Sequence, residues 1–355
     1  MSRPSQLTNL SLEELQTLVQ QWGFPAFRAK QIGDWVAKGV VRPEEMRNLP
    51  ADLRQKLEGE LSCEALSLRQ RQLSVDGTRK YLFARFDGKL VETVFIPDVD
   101  RGTVCLSTQV GCVLDCPFCF TGTQKFEGNL TAGEIVAQVL AVKSDLRAAP
   151  PLDGTCDRIT NIVYMGMGEP LANEGGLHES LRQLLDPDFL GLSRRRITVS
   201  TSGLVPAIDR LGAAFPVNLA ISLHAANDAL RDELVPINRK YPLVELRQCL
   251  DRYPLAKQRH ITLEYVLLAG VNDRDEDVAA LGRFVRPARE RVNLIAFNPY
   301  PGNPYRASSN NRMNQFANLL IDKGIRATVR KSRGQDIMAA CGQLKSAATV
   351  ATGED

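Results

Sequence analysis

The chain is poor in histidine, with three among 355 residues, and His178, His224 and His260 form no close-spaced pair. The paired histidines that commonly complete a zinc site are therefore missing. Long hydrophobic runs are missing too: none approaches the ~18 residues that cross a bilayer. The opening segment, MSRPSQLTNLSLEELQ, has acidic residues early and no apolar signal core. A cytoplasmic, thiol-reducing location is expected, with no membrane partner. Charge of one sign is not in excess either, since 44 basic against 41 acidic side chains leave a formal net charge of +3. That balance permits a nucleic-acid partner without demanding one. At this length and 44% hydrophobic content a sizeable core forms without cross-links, so the eight cysteines are not needed as staples. They are metal ligands, catalytic groups or buried bystanders.

Three of them lie in GCVLDCPFCFTG, residues 111–122, as Cys112, Cys116 and Cys119 with Cys-x3-Cys-x2-Cys spacing. Electron-transfer iron–sulfur clusters normally take four cysteines, so three thiolates would leave one iron of a 4Fe-4S cluster open to bind something else. A zinc site completed by a distant residue, or plain burial, are the alternatives.

Along the chain the texture changes twice. Residues 1–60 carry three short helical patterns, the first opened by Ser11 with Glu14 at the third helical position. Residues 61–100 hold short strand-like runs broken by Asp76-Gly77 and Asp87-Gly88, which predicts a small antiparallel meander. From 101 to 345, six apolar, β-branched runs alternate with helical patterns, which predicts parallel strands joined by helices in an open, incomplete (β/α) barrel. Residues 346–355 read as a flexible tail. In barrels of this kind chemistry sits at the carboxyl ends of the strands, and there the unusual residues fall. The cysteine cluster follows the first run, GMGEP (166–170) the second, STSG (200–203) the third, SLH (222–224) the fourth and NPYPG (298–302) the sixth.

The cluster spacing, with Phe118 between its last two cysteines, resembles that of the radical S-adenosylmethionine enzymes. Taken together, VETVFIPDVDRGTVCLSTQVGC, MGMGEPLAN, RRRITVSTSG, AISLHAAND, VPINRKYP, NPYPGNPY and VRKSRGQDIMAACGQL are similar to the RlmN/Cfr family of radical S-adenosylmethionine RNA methyltransferases, over nearly the whole chain. The fold this implies is α/β, a partial (β/α)6 radical SAM barrel with a small amino-terminal helical accessory domain of helix-hairpin-helix type and a short β-meander connection.

The resemblance implies one 4Fe-4S cluster on Cys112, Cys116 and Cys119, and S-adenosylmethionine, two per turnover, held by Gly168, Glu169, Ser200, Ser222, Leu223, His224 and Asn298. It implies that the first S-adenosylmethionine methylates Cys341. The second yields a radical that takes hydrogen from that S-methyl group, and the methylene radical adds to an adenine ring. Cys105 then attacks the protein–RNA thioether and leaves a disulfide, and Glu92 is the general base that removes the proton from the adduct carbon. STSG and RKSRG resemble the carbon-2 branch, RlmN, whose substrates are 23S rRNA and tRNA; carbon-8 methylation of the Cfr type, a glycyl-radical activating enzyme and a non-catalytic RNA-binding protein are the alternatives. Lys125, Gly128 and Ala296 depart from the usual Gly, Arg and Pro of the family. Expected partners are the RNAs and an electron donor such as flavodoxin or ferredoxin, with the chain a monomer. The runs Arg194–Arg196, Arg239-Lys240 and Arg326–Arg333, with Arg28, Lys30 and Lys38, are candidate RNA contacts. Cys63, Cys156 and Cys249 match no motif and are expected to be structural.

Overall fold

A computed structural model describes residues 6–151 and 154–345; the tail expected over 346–355 lies outside them. The chain begins with helices α1 (Leu12–Gln21), α2 (Phe27–Ala37) and α3 (Ala51–Glu60). The predicted cap closes α1: Glu14 donates its N–H to Ser11 Oγ at 3.2 Å and accepts the Ser11 N–H at 2.8 Å, so two otherwise unpaired donors are satisfied. The buried faces of the module, with Val19, Ile32 and Leu53, run without a break into the core of the rest of the chain. Asn9 Oδ1 accepts the Gly133 N–H at 2.6 Å, and Thr8 donates to the Gly133 carbonyl at 3.2 Å. These bonds fix the module to the first turn of α4 (Ala132–Ala148). The boundary near residue 60 is a change of texture within one core.

Strands β1 (Ser67–Leu73), β2 (Arg79–Ala84) and β3 (Leu90–Pro97) form the expected antiparallel meander. It is more than a connection, because β3 also pairs with β4 (Gly102–Cys105) and joins the main sheet. The continuous apolar content of β3, buried at all but its first and seventh positions, calls for cover on both faces that a free meander would lack. Its attachment to α4 is polar: Asp145 receives Arg79 and the Tyr81 hydroxyl, each at 2.7 Å, and Arg71. Burial works against ionisation of Asp145, but these partners outweigh it and hold the carboxyl below its ordinary range.

A two-residue pair, β5 (Gln109–Val110) with β6 (Gly128–Asn129), frames the cysteine loop. The sheet then continues through β7 (Asn161–Tyr164), β8 (Ile197–Thr201), β9 (Asn218–Ser222), β10 (Ile261–Leu267), β11 (Glu290–Ala296) and β12 (Ala327–Arg330), each parallel to its predecessor and β7 parallel to β4. The crossovers run through α4, α5 (Glu174–Leu185), α6 (Val205–Ala214), α7 (Asp228–Leu234) with α8 (Leu243–Arg252), α9 (Asp275–Phe284) and α10 (Asn310–Asp322). These are the six strand–helix units expected, and a seventh parallel strand, β12, follows them. β12 has four residues, none fully buried and the middle two exposed, and its Ala-Thr-Val-Arg alternation is too short to stand out inside the basic run. The buried extreme is β10, covered at every position. Among the described residues no helix is long and apolar enough to cross a membrane.

Candidate active site

One cavity opens at the carboxyl ends of the parallel strands, and its wall takes residues from β3 round to β12. The strand order follows the sequence, so a single curled sheet brings these ends together. Cys105, Cys112, Cys116, Cys119, Gly168, Glu169, Ser200, Ser222, His224, Asn298 and Cys341 all line it. Two expected residues do not. The Leu223 side chain packs in the core, because successive residues leaving a strand face opposite ways and its neighbours Ser222 and His224 take the cavity side. Its carbonyl is taken by Arg231 Nε at 3.1 Å. Glu92 lies behind the wall, 3% exposed, with Lys80 Nζ at 3.2 Å and the Lys345 N–H at 2.9 Å on its carboxylate.

The cysteine loop is braced from two sides. Tyr300 donates to the Pro117 carbonyl at 3.1 Å and Asn303 to the same oxygen at 2.9 Å, while Phe120 stacks on Tyr300 with centroids 4.3 Å apart. The NPYPG motif is thereby a buttress for the loop. From the other side the chain around Cys341 is clamped to it: the Phe120 N–H reaches Gly342 O at 2.8 Å and Thr121 Oγ1 reaches Leu344 O at 2.7 Å. Gly122 is required by close approach, since a Cβ there would stand 2.7 Å from the Cys116 carbonyl. Burial pushes the Cys112 thiol up to about 12, and it raises Cys116 and Cys119 as well. Three desolvated sulfurs on one tightly folded loop suit a cationic group that would hold them as thiolates, and a three-cysteine iron–sulfur cluster fits that donor set.

Glu169 faces the cysteines across the cavity. One carboxylate oxygen accepts the Ser202 N–H at 2.8 Å and the other the Leu171 N–H at 3.0 Å, so the group is fixed in place. Burial nevertheless raises it above the ordinary carboxylate range. A rigid, desolvated carboxylate is a receptor for a cation such as an ammonium. Gly168 before it has φ +95°, and a Cβ there would lie 2.5 Å from Gln109 Cβ. Gln109 Oε1 accepts the Glu169 N–H at 3.0 Å, so the glycine and the glutamine together set this turn.

His224 adopts φ 58°, and its Nδ1 accepts the Val266 N–H at 3.1 Å. Its ring meets Phe118 edge-on at 4.7 Å, which places the phenylalanine between the cluster cysteines against β10. Burial, with Arg231 adding to it, pushes the imidazole down to about 3. Arg231 was not foreseen. Fully buried, it donates to Leu223 O, to Asn238 Oδ1 at 2.7 Å and to Ser202 O at 2.7 Å, tying the loops after β8 and β9 together. Also unforeseen are Glu264 on β10 and Arg330 at the end of β12, both on the cavity wall. Charged residues within helices and strands carry no mark in the sequence that separates a solvated face from a lined cavity.

Cys105 ends β4 with Val94 and Val163 as its sheet partners. Burial pushes its thiol up to about 12, Cys341 adds to the rise and Arg330 opposes it. All eight cysteines are free thiols, so the Cys105–Cys341 disulfide implied for the end of turnover is not a bond of this structure. Cys156 and Cys249 are buried and Cys63 half-buried.

The basic runs divide. Arg194–Arg196 precede β8 and Arg326 precedes β12, which puts both at the amino ends of the strands, away from the mouth. Arg330 and Arg333 line the mouth. In the helical module Lys30 is paired with Asp188 at 3.2 Å, and Lys38 lies 5.3 Å over the Trp35 ring. Of the departures, Lys125 is exposed, Gly128 begins β6, and Ala296 lines the cavity at the end of β11.

Comparison with known proteins gives two family matches: the radical SAM superfamily over residues 106–282, and the ribosomal RNA large subunit methyltransferase N-terminal domain over residues 5–62. The chain is 48% identical over 345 residues to the dual-specificity RNA methyltransferase RlmN of Acidiphilium cryptum, covering 96% of this chain and 88% of that protein. With the protein of the same name from Gluconobacter oxydans it shares 46% over 345 residues, covering 96% and 85%. A crystal structure of a radical SAM methyltransferase from Sphaerobacter thermophilus superposes with a TM-score of 0.92 at 45% identity, covering 97% of this chain and all of that one.

Proposed function

The chain belongs to the RlmN/Cfr family of radical S-adenosylmethionine RNA methyltransferases, and from that membership we propose that it methylates carbon 2 of adenosine in 23S rRNA and in tRNA, at the adenosine 3′ of the anticodon. The observation that carries the reading is the meeting of Cys105 and Cys341, from the first parallel strand and the carboxyl-terminal segment, on the wall of the cavity that also holds Cys112, Cys116 and Cys119. An activating enzyme that acts on another protein has no use for that second pair of thiols.

Carbon 2 of adenine is electron-poor and has no lone pair, so displacement of methyl from a sulfonium cannot occur there and a radical route is required. The 4Fe-4S cluster and S-adenosylmethionine, when bound, supply the one-electron chemistry that removes a hydrogen atom from a methyl group. Cys112, Cys116 and Cys119 would hold the cluster, and Glu169 would receive the ammonium of the cofactor. Cys341 carries the methyl group on its sulfur and so brings the carbon to the RNA. Cys105 supplies the thiolate that attacks the Cys341 sulfur; the sulfur–carbon bond breaks with its electron pair passing to the RNA-borne carbon, which takes up a proton to become the methyl group, and a transient disulfide is left for reduction. Glu92, whose carboxylate accepts the Lys345 N–H in this structure, is the base for the proton of the adduct carbon. Two S-adenosylmethionine molecules are used per turnover, one for the methyl and one for the radical. The enzyme works as a monomer in the cytoplasm with a donor such as flavodoxin or ferredoxin.

The test is mass spectrometry of 23S rRNA and tRNA from cells with and without the gene, resolving 2-methyl- from 8-methyladenosine. Loss of 2-methyladenosine from both RNAs with the gene is the expected result. Loss of only the 8-methyl isomer, or no change, overturns it. In parallel, Cys112→Ala, Cys116→Ala and Cys119→Ala should each remove iron from anaerobically purified protein, while Cys341→Ala keeps the iron and ends methyl transfer.

A further inference from the structure

We propose that Arg231 is a positioning residue of the cofactor site, a buried three-way tie that sets the peptide whose N–H fixes Glu169. The inference deepens the methyltransferase reading, because it takes from that reading that Glu169 receives the ammonium of S-adenosylmethionine.

Arg231 lies on α7, fully buried, and does not line the cavity. Its guanidinium runs behind the loops that leave β8 and β9, the two strands that bring Ser200 and Ser222 to the cavity wall. Nε donates to the Leu223 carbonyl at 3.1 Å and Nη1 to Asn238 Oδ1 at 2.7 Å. Nη2 donates to the Ser202 carbonyl at 2.7 Å and to that of Ser222 at 3.3 Å. Every one of these acceptors is neutral, and among the described residues no carboxylate pairs with this guanidinium. Burying a charge against carbonyls alone is costly, and two loops that had only to stay packed could be joined by apolar side chains. What the guanidinium adds is one rigid plane with donors in three directions.

That plane is aimed from behind. The Asn238 amide gives its two N–H to Asp228 Oδ1 at 2.9 Å and to Asp232 Oδ1 at 2.6 Å, so its oxygen has to face Arg231. Asp228 Oδ1 also accepts the Leu243 N–H at 2.9 Å, which ties the start of α7 to the start of α8. The consequence appears at Ser202. Its carbonyl receives Arg231, and its N–H donates to Glu169 Oε2 at 2.8 Å. The two groups flank one Cα, so the hold on the carbonyl also sets the direction in which the N–H points. Gly203 follows at φ +113°, a position that leaves the turn free to rotate unless its neighbour is held. Arg231 thus reaches the carboxylate through one residue, without touching the cofactor space.

The test is equilibrium dialysis of S-adenosylmethionine against anaerobically purified, cluster-bearing enzyme in a double-mutant cycle of Arg231→Gln with Glu169→Gln. Iron content and thermal midpoint are recorded for each protein. Arg231→Gln should weaken binding about tenfold. Iron should stay at the wild-type level, because the cluster loop is braced through Tyr300 and Asn303. In the Glu169→Gln background the same change should cost less than about threefold, since its effect runs through the carboxylate. Arg231→Lys, which keeps the charge and loses the fork, should bind as weakly as the Gln variant, and it replaces that variant in the cycle if Arg231→Gln does not fold. A full tenfold loss in both backgrounds, wild-type affinity in the Lys variant, or a loss of affinity matched by a loss of iron overturns the inference. So does wild-type affinity in Arg231→Gln. Where Glu169→Gln itself weakens binding, that last result sinks this inference alone; where Glu169→Gln binds as the wild type does, the receptor role of Glu169 falls and the inference with it.

Discussion

Asn298 donates its side-chain amide to the carbonyl of Cys341 at 3.1 Å, and its own carbonyl oxygen accepts from Gln335 at 2.8 Å. The end of β11 therefore grips the segment that carries the methyl-accepting thiol, on one side of the cavity, while Phe120 and Thr121 grip it from the cluster loop on the other. Among the described residues the Cys341 sulfur makes no hydrogen bond of its own, so its backbone positions it.

Replacing Asn298 with Ala removes one of those grips and returns the Gln335 amide to water. The loss of a net hydrogen bond of about 1 kcal/mol should slow methylation of Cys341 roughly fivefold to tenfold. Iron content should not change, because the bonds that brace the cluster loop run through Tyr300 and Asn303. Peptide mass spectrometry of Cys341 over time measures the rate. A wild-type rate would mean that the clamp from Phe120 and Thr121 suffices.

Gly168→Ala tests the cofactor side. The new Cβ would meet Gln109 at 2.5 Å in a backbone conformation of φ +95° that L-residues rarely adopt, so the turn must shift and carry Glu169 with it. Binding of S-adenosylmethionine, followed by equilibrium dialysis, should weaken by at least tenfold, and stability should fall by about 1–3 kcal/mol. Retained affinity would show that Glu169 does not hold the cofactor.

His224 gives a pH dependence whose sign follows from its burial. Its folded-state pKa, about 3, lies below the value of about 6.5 for a free imidazole. The folded protein therefore prefers the neutral ring. Stability from this group is present above about pH 6.5 and is lost as pH falls toward 3, with unfolding taking up one extra proton. His224→Asn keeps an acceptor for the Val266 N–H, tolerates the positive φ and cannot titrate, so its stability should fall less steeply in acid. Urea midpoints of cluster-free protein at about pH 7 and about pH 4.5 decide this. Parallel declines in the two proteins would rule out a buried neutral histidine.

How far the sequence discloses this molecule depends on whether a signal is local. Ser11 and Glu14 announce a cap because the two residues that make it are three apart, and the strands before Cys112, GMGEP and SLH announce themselves by β-branched apolar runs. β12 does not, since four residues, the middle two exposed, make too short a pattern to show. Arg231 and Glu264 are invisible for a different reason. Each becomes an inward residue only through the curl of the sheet, a relation between elements that no window of sequence contains. Leu223 and Glu92 show the converse, where a motif marks the right neighbourhood and the alternation of side chains, or a cap from Lys345, decides what reaches the cavity.

The mechanism is tested most sharply at Cys105. Formation of the protein–RNA thioether uses Cys341 and the bound cofactors, so Cys105→Ala should still reach that adduct. What it lacks is the thiol that attacks the Cys341 sulfur, and a carbon–sulfur bond does not hydrolyse unaided at neutral pH. Cys105 sits on the wall of the same cavity as Cys341, in keeping with such an attack. The variant, expressed in cells, should migrate on denaturing gels as a covalent RNA complex that ribonuclease collapses to a short nucleotide stub on the Cys341 peptide. Glu92→Ala should trap a similar species, because removal of the adduct proton precedes release. It should also free the Lys345 N–H and Lys80, so its thermal midpoint is recorded alongside to separate lost chemistry from lost packing. Cys105→Ala protein recovered free of RNA and turning over at the wild-type rate would reduce Cys105 to a core residue at the end of β4.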